Sequence, residues 1–168
     1  RLLLLDRVPA VSPHILGIAK NPCLIGQGAS AYSVGSLATD EDSQLVGRLM
    51  NAVGIAYQVD EHLLDAVTGL SGSGPAFVYT VIEALADGGV RMGLPRAIAA
   101  ALAAHTVRGA AGMVLAGDDH PAVLRDRVAS PGGTTIAGIQ ALEDHGLRAA
   151  LMAAVQAATQ RSMDLGAQ

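Results

Sequence analysis

The rhythm of apolar and polar positions changes along the chain, and the change divides it. Gly-Ala-Ser-Ala-Tyr-Ser-Val, from Gly28 to Val34, reads as a short strand, and Ile55 to Val59 as a second. Between them Leu45, Val46, Leu49, Met50 and Val53 recur at helical spacing, which predicts a helix over 41–53 capped by Thr39 or Asp40 and stopped by Gly54. Residues 1–20, with Pro9 and Pro13, have no clear period and predict no element.

Beyond Asp60 the pattern is almost purely helical. Asp60 is expected to cap a short helix carrying Leu63, Leu64 and Val67, and Ser71-Gly72-Ser73-Gly74 to break the chain. Pro75 then suits the start of a helix over 74–92 that is apolar on nearly every face, through Phe77, Val78, Val81, Ile82, Leu85 and Val90. Such a helix is the kind that proteins bury. Pro95 opens a helix to Ala116, Pro121 a short one to Arg127, Gly132-Gly133-Thr134-Thr135 one to His145, and the last runs from Leu147 to Leu165. Strands first and helices afterwards predict a mostly α chain: the last strands and helix of an α/β domain, 1–60, joined to an all-α domain, 61–168.

Composition sharpens this picture. Of 168 residues 51% are apolar but only 2% aromatic, so the bulk comes from small and aliphatic side chains suited to closely packed helices. The net charge of −4 and the single lysine, Lys20, leave no basic field for a nucleic acid. The long uncharged, apolar stretch from Ala66 to Ile82 is interrupted by Gly69, Gly72, Gly74 and Pro75, so the high hydropathy is read as a large interface between subunits rather than membrane contact. One cysteine, Cys23, fits a reducing compartment, and five histidines without paired ligand spacing point to no metal site. Arg1 to Asp6 holds too short an apolar run for a signal-peptide core, and a chain beginning with Arg reads as a fragment.

Candidate chemistry concentrates at Ser130-Pro131-Gly132-Gly133-Thr134-Thr135-Ile136. Two glycines allow a tight turn and close approach of a ligand, and the following helix start offers free N–H groups and the positive end of its dipole to a carboxylate or phosphate. A plain turn with a threonine N-cap accounts for the same residues. Leu70 to Phe77 supplies two glycines of a dinucleotide-binding fingerprint, but Phe77 stands at the third position and a helix precedes it, so a helix–helix corner with serine caps and close backbone packing is the better reading. Glu83, Asp87 and Arg91 suggest ion pairing along one helix, and Arg125-Asp126-Arg127 a solvated face unless it borders the anion site.

These segments, taken in order, resemble the pyrroline-5-carboxylate reductases: Asp65 to Phe77, Glu83 to Val90, His120-Pro121 with Leu124-Arg125-Asp126, and Ser130 to Thr135. The resemblance runs from about Asn21 to Leu165. It implies a dinucleotide domain followed by an all-α domain that pairs two subunits, as a homodimer or a ring of dimers, in the cytoplasm or the mitochondrion. It further implies reduction of 1-pyrroline-5-carboxylate to L-proline with NADPH or NADH. Ser130, Gly133, Thr134 and Thr135 would hold the substrate, Thr135 acting at the ring nitrogen, Glu61 would also contact substrate, and Arg127 would touch the cofactor.

Three departures stand beside the resemblance. The glycine-rich strand–turn–helix for the pyrophosphate is absent from the chain, Ala19-Lys20-Asn21-Pro22 replaces a Pro-Asn-Thr-Pro-like run, and residues 1–16 match nothing in the family. Two hypotheses follow: a reductase portion that turns over when a cofactor domain is supplied, and a truncated pairing module without activity.

Overall fold

The computed structural model describes residues 15–18 and 21–167. Two compact units emerge, one running through Ala76 and resuming at Met152, the other spanning Phe77–Leu151. Most of the described residues are helical.

The first unit is built on a three-stranded sheet in the order β1 (Ile15–Ile18), β2 (Gly28–Val34), β3 (Gly54–Gln58). β1 runs antiparallel to β2, and β2 parallel to β3, with α1 (Asp40–Asn51) as the crossover. Both expected strands and the helix between them form. β1 was not expected, because four residues beside two prolines carry no period of their own and the strand is specified by pairing Ile15–Ile18 with Ala31–Val34. The rest of the segment expected to lack structure, 1–14 and 19–20, lies outside the described residues, and with it Pro9, Pro13, His14 and Lys20.

Thr39 caps α1 through a reciprocal box: its hydroxyl accepts from the Asp42 N–H at 3.2 Å, and the Asp42 carboxylate accepts from the Thr39 N–H at 2.9 Å. The Thr39 N–H first, and its hydroxyl second, hold the Asp42 carboxyl below its ordinary value. Of the expected apolar stripe, Leu45 and Leu49 are exposed, and the helix instead turns buried Gly47 toward the sheet. The reason is Tyr32: a Cβ on Gly47 would stand 2.9 Å from its hydroxyl, so only glycine lets the helix pass over the ring. Gly54 opens β3 at φ +154°, where a Cβ would meet the Gly28 carbonyl oxygen at 2.0 Å. Ser30, Ala31, Tyr32 and Ser33 of the central strand are buried.

After β3, a 3-10 turn (Glu61–Leu63) and α2 (Leu64–Val67) lead into a π turn (Thr68–Gly72). Asp60 stands at the N-cap position without a side-chain cap bond, contrary to expectation. The expected break at Ser71–Gly74 narrows to one residue: the π turn ends at Gly72, Ser73 is a bend whose N–H reaches the Thr68 carbonyl at 2.8 Å, and α3 starts at Gly74. Ser71 does not cap either, since its hydroxyl donates to the Val67 carbonyl within the same turn. The close approach falls just before the expected segment, at Gly69, where a Cβ would stand 2.1 Å from the Thr159 hydroxyl on the final helix, α7 (Leu147–Gly166), while a Cβ on Gly74 would meet open space. Ser162 of α7 donates to Asp65 at 2.6 Å.

The second unit holds α3 (Gly74–Arg91) from Phe77 onward, α4 (Arg96–Ala116), α5 (Pro121–Val128), α6 (Thr134–Asp144) and the start of α7. Its core is thin: Ala86, Ala99 and Ala103 are buried, with Ile82 and Val90 packed against them. α3 is therefore not enclosed by its own chain, and Val78, Tyr79 and Leu85 are 42%, 59% and 49% exposed. Asp87 pairs with Arg96 at the start of α4 rather than with Arg91 along α3, because the Gly93 turn brings the next helix within reach. An open groove of about 490 Å³ lies between α3 and α4, lined by Tyr79, Ile82, Glu83, Ala86, Arg96 and Ala100. By length and composition α4 is long and apolar enough to cross a membrane, and 11% of its apolar window is buried within the chain.

Candidate functional site

The segment Ser130–Thr135 folds as a turn that delivers the chain into α6. Pro131 and Gly132 occupy its centre, Gly132 at φ +64°, and the Gly133 N–H closes it on the Ser130 carbonyl at 3.0 Å. Proline followed by a positive-φ glycine is the requirement of a type II turn. Gly133 then serves as N-cap in an extended conformation, and no side chain caps the helix. The threonine N-cap anticipated as the plain explanation is thus not formed: Thr134 and Thr135 are the first two helical residues. Their hydroxyls have no hydrogen-bond partner among the described residues, and the N–H groups of Thr134, Thr135 and Ile136 precede the first helical bond, Ala137 N–H to Gly133 carbonyl.

Three unpaired N–H groups, the positive end of the helix dipole and two uncommitted hydroxyls are the kind of donors an anion takes. Thr135 is half-buried and Ser130 and Thr134 are exposed. Gly133 is confined: a Cβ there would stand 2.3 Å from the Ser130 hydroxyl. The turn is therefore specified at Gly132 by its positive φ, while at Gly133 a side chain would require the Ser130 hydroxyl to rotate away.

α5 precedes the turn by one residue. His120 caps it, accepting from the Ala122 N–H through Nδ1 at 3.2 Å, and Pro121 takes the first helical position. Arg125 and Asp126 pair with each other, Nη2 to Oδ1 at 2.8 Å. Arg127 is bound by both guanidinium nitrogens to Asp119, Nη2 donating to Oδ1 at 3.2 Å. Sequence reading missed that partner. Glu61 sits exposed at the first position of the 3-10 turn, in the other compact unit from Arg127 and Ser130–Thr135.

The class this defines is a mostly helical domain with unpartnered apolar faces and an anion-receptive helix start, preceded by the strands and helix of an α/β region. Comparison with known proteins supplies the family. Residues 61–165 match the family described as pyrroline-5-carboxylate reductase dimerisation, and the chain belongs to that family. It is 56% identical over 160 residues to pyrroline-5-carboxylate reductase of Arabidopsis thaliana and 47% identical over 155 residues to pyrroline-5-carboxylate reductase 2 of Bos taurus, covering 95% and 92% of this chain. It spans about half the length of these relatives, 56% and 48%. Among solved structures, pyrroline carboxylate reductase of Plasmodium falciparum with NADP bound superimposes with TM-score 0.90 at 34% identity, over 96% of this chain and 62% of that one. The enzyme of Coxiella burnetii gives 0.89 at 32%, over 94% and 58%.

Proposed function

We propose that the chain is the subunit-pairing and substrate-binding part of a reductase that converts 1-pyrroline-5-carboxylate to L-proline. The observation that carries this reading is the start of α6, where the N–H groups and hydroxyls around Gly133, Thr134 and Thr135 are free to receive a carboxylate. Family membership supplies the substrate whose carboxylate fits there.

In this reading the N–H groups of α6 and the Thr134 hydroxyl fix the substrate carboxylate, with the Ser130 hydroxyl, which lies beside Gly133, adding a contact. Fixing the carboxylate orients the ring, which is worth more than affinity alone because the hydride must arrive on one carbon. Reducing a C=N bond places hydride on carbon and a proton on nitrogen, and the Thr135 hydroxyl donates to that nitrogen, stabilising the charge that shifts there. NADPH or NADH supplies the hydride when bound. Of the residues it needs, this chain offers Arg127, whose guanidinium keeps donors beyond those given to Asp119. The described β2–α1 connection, Gly35 to Thr39, lacks a glycine-rich phosphate loop, so the pyrophosphate must be held by residues outside it. Glu61 as a substrate contact rests on the resemblance alone.

A second copy of the chain is the partner that the apolar faces of α3 and α4 call for, in a homodimer or a ring of dimers. Cys23 suits a reducing compartment, the cytoplasm or the mitochondrial matrix.

The test is NADPH oxidation with pyrroline-5-carboxylate by this chain joined behind a dinucleotide-binding domain. Thr135→Ala is expected to lower turnover about 10²-fold, as loss of one oriented donor does. Turnover in neither joined form would leave the inactive pairing module as the reading.

A further inference from the structure

α5 has eight residues and buries none of them, yet it sets where the Ser130 turn begins. Within the single chain only Ala122 and Leu124 are half-buried, so packing there contributes little to holding the helix and the bonds at its ends carry more of that task. Asp119 lies just before the helix and Arg127 in its last turn, and the guanidinium reaches back along the helix to grip the carboxylate with both terminal nitrogens. Arginine side chains lean toward the helix N-terminus, which makes a grip over eight positions attainable.

We infer that Asp119 is a positioning residue: with Arg127 it ties the two ends of α5 together and thereby fixes the start of the Ser130–Gly133 turn, and so the alignment of the α6 N–H groups with the substrate carboxylate. The inference rests on the reading of that turn as the carboxylate site. A partly exposed ion pair is a modest tie, so its loss loosens the turn without unfolding it.

The experiment compares Asp119→Asn, Asp119→Glu and Thr135→Ala in the chain joined to a dinucleotide-binding domain, reading KM for pyrroline-5-carboxylate and kcat separately. Asp119→Asn is expected to raise KM about three- to fivefold with kcat nearly unchanged, and 0.5 M salt to move the unaltered enzyme toward the same KM. Asp119→Glu restores KM to within about twofold, since it keeps the charge that Arg127 grips. An unchanged KM in Asp119→Asn, beside a large loss in Thr135→Ala, overturns the tie and leaves the carboxylate site standing. No loss in Thr135→Ala and no change in Asp119→Asn overturns both. Equal loss in Asp119→Asn and Asp119→Glu also overturns it, because the tie depends on charge.

Discussion

The two units solve the same problem differently. Around β2 the chain encloses its own residues: Ala31 and Tyr32 are buried under pairing strands and a crossover helix that passes close because Gly47 has no side chain. Around α3 and α4 the apolar content is higher, but only three alanines are buried, while Leu85, Ile98, Leu102 and Met113 are each 49% exposed or more. Small residues bring helices close without supplying enough side-chain volume to cover one another. What the contrast teaches is that an all-round apolar helix need not be buried within its own chain. It needs cover, and here the family points to a second copy.

The contrast can be broken from either side. The largest effect is expected from Leu85→Asp, which leaves the single chain intact because the residue is exposed in it, but places an unpaired charge in the covered face. Association should weaken about 10²-fold, roughly 3 kcal/mol, with helix content by circular dichroism retained. Gly54→Ala should act on the other unit and by less. The positive φ and the approach of Gly28 make any Cβ costly there, about 2 kcal/mol, so amide exchange in β2 and β3 should speed about 30-fold while pairing is unaffected.

Legibility followed the range of the interactions. A cap at Thr39, the strands at Gly28 and Ile55, and every long helix could be read because the signal for each lies within a few residues, whereas the reciprocal partner Asp42 was not singled out. β1 could not, since Ile15–Ile18 becomes a strand only against β2. The π turn at Thr68–Gly72 could not be read: the serines and glycines of Ser71–Gly74 signal only that a helix ends there, whereas Gly69 yields space to α7, far along the chain. At the candidate site the turn was legible from its glycines. Of the two readings open for the helix start, the threonine cap fails because an extended Gly133 takes that place, which leaves both hydroxyls available. Asp119 escaped notice because eight residues exceeds the one-turn spacing by which helical ion pairs are recognised.

The central claim is that the helical unit carries faces made to be covered by another copy. Sedimentation of the unaltered 168-residue chain across a micromolar concentration series tests it most directly. A dimer or larger closed assembly that persists at the lowest concentrations is the predicted result; a folded monomer throughout would contradict it.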